Sequence, residues 1–211
     1  MMGKTHKAIG ALSATTLFIG TDIIFKGNLN HVTGTMLGIT AAGTILGGML
    51  GGMLPDIDEP ESRIGAKLWF ISWPIYLFHL ILLILSALLP NGKMKMMANK
   101  FQKNTGHRYI THSLITWGIV CICFGLAGKY LFNYNNFVDL IARGLLFGTC
   151  VGMLSHIIAD MCSGSVPLFC PIIEKRYSMP GIHIAMNGLT EHLIRYASTL
   201  ACCGLIYIRY F

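Results

Sequence analysis

Residues 137–160 read FVDLIARGLLFGTCVGMLSHIIAD, an apolar block that closes on His156 and Asp160. Its length is close to the roughly 20 residues a helix needs to cross a bilayer core. The closing His-x-x-x-Asp spacing puts an imidazole and a carboxylate one turn apart on one helix face. Both groups cost free energy beside hydrocarbon, so a helix end that keeps both is a candidate functional site.

Working outward, similar blocks occupy Ala8–Phe25, Thr33–Leu54, Leu68–Leu89, Leu114–Phe132 and Leu193–Phe211. The 211 residues are 54% hydrophobic and 12% charged, with a mean hydropathy of +0.60. A soluble domain carries about a quarter charged residues, so this chain has too little polar surface for a water-soluble globule. The pattern predicts an all-α, polytopic membrane helical bundle forming one domain over residues 1–211, with about five spanning helices. The block at 68–89 is broken by Pro74 and His79 and is expected to be re-entrant or interfacial.

The net charge of +7 comes from 16 Lys and Arg against 9 Asp and Glu. These cations sit in short loops, where they set topology and contact anionic membrane lipids; direct nucleic-acid binding is not expected, because no groove-reading motif is present. The seven cysteines fall mostly inside apolar blocks and lack zinc-ribbon spacing, so no disulfide framework is expected. Glycine is dense in the second block, and Gly43-x-x-x-Gly47 and Gly48-x-x-x-Gly52 predict close helix packing within the chain.

The same chemistry as His156 and Asp160 recurs at other block ends. His6 follows a basic head, and Pro55-Asp56-Ile57-Asp58 follows the second block, with proline denying it a regular helix. His107-Arg108-Tyr109-Ile110-Thr111-His112-Ser113 opens the fourth block, and Glu191 precedes the last. Five residues separate His107 from His112, which on a helix would rotate them about 140° apart. His107 therefore belongs to the entering loop and His112 to the first turn. If the Asp56 loop is extended, both aspartates point away from Ile57. His6, Asp56, Asp58, His107, His112, His156 and Asp160 are the expected metal ligands. Carboxylates mixed with imidazoles suit a divalent ion, zinc first, then manganese or iron. The number of donors allows one or two ions. Such ions activate a water toward a phosphoryl or acyl centre. Arg108 would then bind an anionic group, and Glu191 would serve as base or further ligand.

Taken in order, Thr5-His6, Leu54-Pro55-Asp56-Ile57-Asp58, His107-Arg108-x-x-Thr111-His112-Ser113, and His156-x-x-x-Asp160 with Pro167-Leu168-Phe169-x-Pro171 resemble the YdjM-type proteins. The resemblance runs over nearly the whole chain. It implies a bacterial inner-membrane protein with metal-dependent hydrolase activity. The LexA-binding label carried by the family implies a soluble regulator as a partner. Cys162-Ser163-Gly164-Ser165 departs from the family's Thr and Gly preference, which removes support for a role of those hydroxyls.

One shared site requires every motif at one membrane face. His6 opens the first span and Asp56 closes the second; His112, His156 and Glu191 open, close and open the later ones. The two groups agree only if Leu68–Leu89 makes no net crossing. With that topology twelve cations lie on the motif side, against Lys26, Lys129, Arg143 and Arg209 on the other, which makes the site cytoplasmic. The leading expectation is a membrane hydrolase for a phosphoester or ester of a lipid-like substrate. An ion or metal transporter, or a non-enzymatic anchor for a soluble regulator, are the alternatives.

Overall fold

The computed structural model describes residues 3–24, 34–58, 62–70, 110–132, 136–173, 175–185 and 187–210, with isolated positions between 73 and 96. Among the described residues five long helices carry the architecture: α1 (Gly3–Ile24), α2 (Gly34–Gly51), α4 (Leu114–Tyr130), α5 (Phe137–Ser163) and α6 (Leu189–Tyr210). The short α3 (Arg63–Lys67) follows a 3-10 turn at Leu54–Asp58, and a second 3-10 turn at Ile110–His112 leads into α4. The described residues form no β-strand beyond an isolated antiparallel bridge between Val166 and Tyr177. The fold is all-α, as the apolar blocks predict.

The helix ends follow local chemistry. Ser113 caps α4 by accepting the Thr116 amide at 3.1 Å, and Asn136 caps α5 by accepting that of Asp139 at 2.8 Å. Each supplies an acceptor for an amide that has no partner within its helix. The apolar block that opens at Phe137 continues as helix to Ser163, giving α5 27 residues. At 1.5 Å per residue this is about 40 Å, longer than the ~30 Å of a bilayer core. Among the described residues α5 is the helix long and apolar enough to cross a membrane; Thr35–Gly51 and Leu114–Tyr130 are shorter apolar helices. The expected segment at 68–89 lies largely outside the described residues.

Helix α5 is the hub, packed against α2, α1 and α4, while α6 packs on α1. Two sets of small residues bring backbones into contact. Gly43, Gly47 and Gly51 of α2 face the backbone of Ile141, Leu145 and Thr149, and a Cβ at Gly43 would come within 2.5 Å of the Ile141 carbonyl oxygen. From α5, Gly144, Gly148 and Gly152 meet Thr40, Thr44 and Gly48 in return. Gly48 and Gly52 turn toward α1, where they meet Gly10 and His6. Both sequence-predicted Gly-x-x-x-Gly spacings therefore serve packing within the chain. The complementary Gly144, Gly148, Gly152 set on α5 was not singled out from sequence.

Polar side chains are buried beside an apolar core that includes Leu140, Met153, Ile157 and Val166, while many large apolar side chains face outward. Thr15, Thr44, Thr149, Ser155 and Ser198 are buried, whereas Leu46, Leu50, Ile122, Leu126, Leu200 and Ile208 are exposed. Thr15, Thr44 and Thr149 donate to carbonyls four residues back, at 2.8, 2.8 and 2.7 Å. Their hydroxyls are thus satisfied within their own helices, and that of Thr15 also meets Cys202 Sγ of α6 at 3.3 Å. An apolar exterior with buried hydroxyls satisfied internally is what a lipid environment demands.

Candidate metal centre

At one end of the bundle four elements bring five ionisable side chains together. His6 stands in the first turns of α1, Asp56 in the 3-10 turn after α2, and His112 in the turn before α4. His156 and Asp160 share a face of α5, as their four-residue spacing requires. The Asp56 turn is a 3-10 helix, not the extended loop considered from sequence. Pro55 is fully buried within it, and the Ser62 hydroxyl donates to the Asp56 carbonyl at 2.6 Å while capping α3. The segment that follows His112 is anchored twice. The Leu114 amide donates to the Leu168 carbonyl at 2.8 Å, and the Trp117 indole N–H donates to the Cys150 carbonyl at 2.9 Å.

The donor atoms converge. His6 Nε2 lies 3.2 Å from Asp160 Oδ1, and His112 Nε2 lies 3.4 Å from Asp160 Oδ2 and 3.5 Å from Asp56 Oδ1. His156 Nε2 is 3.5 Å from Asp56 Oδ1, 3.6 Å from Asp160 Oδ2 and 3.2 Å from His112 Nε2. The His6 and His156 rings stack with centroids 3.8 Å apart. His6, His112, His156 and Asp160 are buried, and Asp56, at 19% side-chain exposure, is the member of the cluster open to the outside.

Among the described residues two triads have metal-binding spacing: His6 with His156 and Asp160, and Asp56 with His112 and His156. The tautomers fit a cation. His156 Nδ1 lies 2.9 Å from the Gly52 carbonyl oxygen, so it carries the proton and leaves the Nε2 lone pair pointing at the cluster. His112 Nδ1 meets the Thr111 hydroxyl at 3.0 Å, and its Nε2 faces the same point. Two imidazole nitrogens 3.2 Å apart, each near a carboxylate oxygen, repel one another unless a proton or a metal ion lies among them. The buried His and Asp groups can therefore hold a metal ion.

The two turn residues report the same field. Burial alone would raise the Asp56 carboxyl, but the hydrogen bond to His112 and the nearby His156 outweigh it and hold the pKa at about 2. Burial alone would lower His112, but hydrogen bonds to Asp160 and Asp56 prevail and raise it.

The remaining sequence candidates divide. Glu191 is buried in the first turn of α6, where its Oε2 accepts the Asn187 amide at 2.7 Å, and it belongs to neither triad. His107, Arg108 and the Asp58 side chain lie outside the described residues. Two contributors were not assigned a role from sequence. The Gly52 carbonyl orients His156 and the Thr111 hydroxyl meets His112, and each stands beside a motif quoted for its ionisable neighbours. Thr5 Oγ1 and His6 Nδ1 are buried without a hydrogen-bond partner among the described residues.

The family described as YdjM inner membrane protein matches residues 1–210. The chain belongs to that family. The uncharacterized protein YvsG of Bacillus subtilis (strain 168) is 26% identical over 212 residues, covering 99% of this chain and 96% of its own. The inner membrane protein YdjM of Escherichia coli (strain K12) is 33% identical over 129 residues, covering 61% of this chain and 48% of its own. A Shigella flexneri protein of the same name matches equally. No solved structure matches. Membership in the YdjM family makes this a membrane protein, in accord with its apolar exterior.

Proposed function

We propose that this YdjM family protein is a membrane-bound metal-dependent hydrolase acting on a phosphoester or ester of a lipid-like substrate. The observation that carries the reading is the meeting of three imidazole Nε2 atoms and two carboxylates at one end of the bundle. His6, Asp56, His112, His156 and Asp160 hold a divalent ion, with zinc the best match to the donor set and manganese or iron as alternatives. Both triads need His156, and its Nε2 has a single lone pair. One ion is therefore favoured over two. A divalent ion there supplies Lewis acidity and lowers the pKa of water. Asp56, at the open edge, lies where a substrate would approach. Arg108 orients an anionic group, Glu191 acts as base, and His107 and Asp58 are further candidate ligands.

The contact between Asp56 and His112 supports a bundle of about five spans in which residues 68–89 make no net crossing, because the chain returns to the end it left. The charge distribution supports a cytoplasmic face for that end, where a soluble regulator would also have access. The test is elemental analysis of the purified protein, then a panel of phosphoesters and carboxylic esters with and without chelator. One bound ion per chain and chelator-sensitive hydrolysis are expected. Bound metal with no hydrolysis, but with metal flux in proteoliposomes, would replace the hydrolase by a transporter.

A further inference from the structure

Away from the metal centre, a cavity of about 610 Å³ opens between α4, α5 and the adjoining parts of α1 and α2. Helix α4 has no buried residue, and a Cβ at Gly118 or Gly125 would touch nothing within 4 Å. The space is thus a consequence of α4 standing off from the glycine-packed core. Its wall is apolar. Phe18, Phe124 and Phe147 contribute rings, and Thr21, Thr40 and Thr44 also line it. Each of those threonines donates its hydroxyl to a carbonyl of its own helix, at 2.8, 3.0 and 2.8 Å. They therefore offer the cavity little hydrogen bonding.

Against that wall stand two cations, Lys129 near the end of α4 and Arg143 near the start of α5. The Arg143 guanidinium donates from Nε to the Phe132 carbonyl at 3.0 Å, which fixes it at the rim between the two helices. Arginine six residues into a membrane helix is costly and calls for a function. Asp139, one turn earlier on α5, is not among the lining residues, and the charged side chains among the described lining residues are both cations. The volume is that of a ligand pocket.

We infer that this cavity is a binding site for an anionic phospholipid, with an acyl chain among the aromatic rings and the phosphate at Lys129 and Arg143. Thirteen residues of α5 separate Arg143 from His156, about 20 Å along the helix. A lipid seated there is out of reach of the metal centre. It is retained and not cleaved, and the inference stands whether or not the protein hydrolyses anything.

Native mass spectrometry of the full chain in detergent, titrated with phosphatidylglycerol or phosphatidylcholine, tests it. A single tightly held phosphatidylglycerol is expected, with phosphatidylcholine binding more weakly. Lys129→Gln and Arg143→Gln should each weaken phosphatidylglycerol by about fivefold and leave phosphatidylcholine unchanged. Gly125→Leu, which projects into open space from α4, should displace the lipid without a clash. Because Arg143 also ties Phe132, the exposed Lys129 and the Gly125 variant decide the matter if the arginine variant does not fold. Equal binding of the two lipids overturns the phosphate contact. Unchanged binding in Gly125→Leu overturns the site, as does occupancy by detergent alone.

Discussion

His156 Nδ1 donates to the Gly52 carbonyl at 2.9 Å, joining the hub helix to the end of α2 across 104 residues of sequence. The bond exists because Gly52 lacks a side chain. A Cβ there would run into the His6 carbonyl of α1. One glycine thus allows α1 to approach and presents the acceptor that selects the His156 tautomer. Gly52→Ala should separate α1 from α2 and misorient both histidines. Metal affinity should fall about 10- to 100-fold, the usual effect of losing an orienting partner. Competition with a chromophoric chelator measures it, and unchanged affinity would dismiss Gly52 as an orienting group.

Both triads run through His156, so His156→Ala should remove the bound metal altogether, whereas Asp56→Asn should weaken it while leaving the His6, His156 and Asp160 triad. Mass-spectrometric metal counts on the two variants separate these outcomes. Two ions in the wild-type protein, one of them surviving His156→Ala, would contradict a single shared centre.

Glu191 lies in neither triad, and its Oε2 accepts the Asn187 amide. Glu191→Gln should keep the metal count of the wild type and, if Glu191 is the base, abolish hydrolysis. Loss of metal in this variant would make Glu191 a ligand instead.

Protons compete with the metal at His112. Its pKa is raised in the folded protein, chiefly by Asp160 and Asp56 working against burial. In the metal-free protein the stabilisation from that charged imidazole is present below the unfolded value near 6.5 and is lost as pH rises through the higher folded value. A metal must expel this proton, so affinity should climb about tenfold per pH unit below the His112 pKa and level off above it. Asp56, held at about 2, stays ionised throughout and adds no slope near neutrality. A flat affinity profile from mildly acidic to neutral pH would show that His112 is not a ligand.

Gly148 of α5 abuts the Thr44 backbone, and any side chain must force α2 and α5 apart. Gly148→Val should destabilise the bundle by about 1–3 kcal/mol, the cost of overpacking a tight interface. Thermal unfolding in detergent reads this out. Gly125→Leu on the loosely packed α4 is the contrasting control, and equal losses in both would mean that the glycine interface is not special.

Much was written into the chain locally. Apolar blocks of membrane length specify the helices, because backbone groups in lipid must be satisfied within their own segment. The four-residue spacing of His156 and Asp160 determines that they share a face, since helix geometry is local. Polar residues at block ends marked His6, Asp56 and His112 as candidates for the same reason. Tertiary structure decided which of them meet. Glycine contacts set the distance between α1, α2 and α5, and only at that distance does the Gly52 carbonyl reach His156 and do three Nε2 atoms converge. The Asp56 loop, considered extended from sequence, is a 3-10 turn with Pro55 buried. The cavity beside α4 left no mark on the motif pattern, because it arises from a helix that fails to pack closely, and packing is a property of pairs.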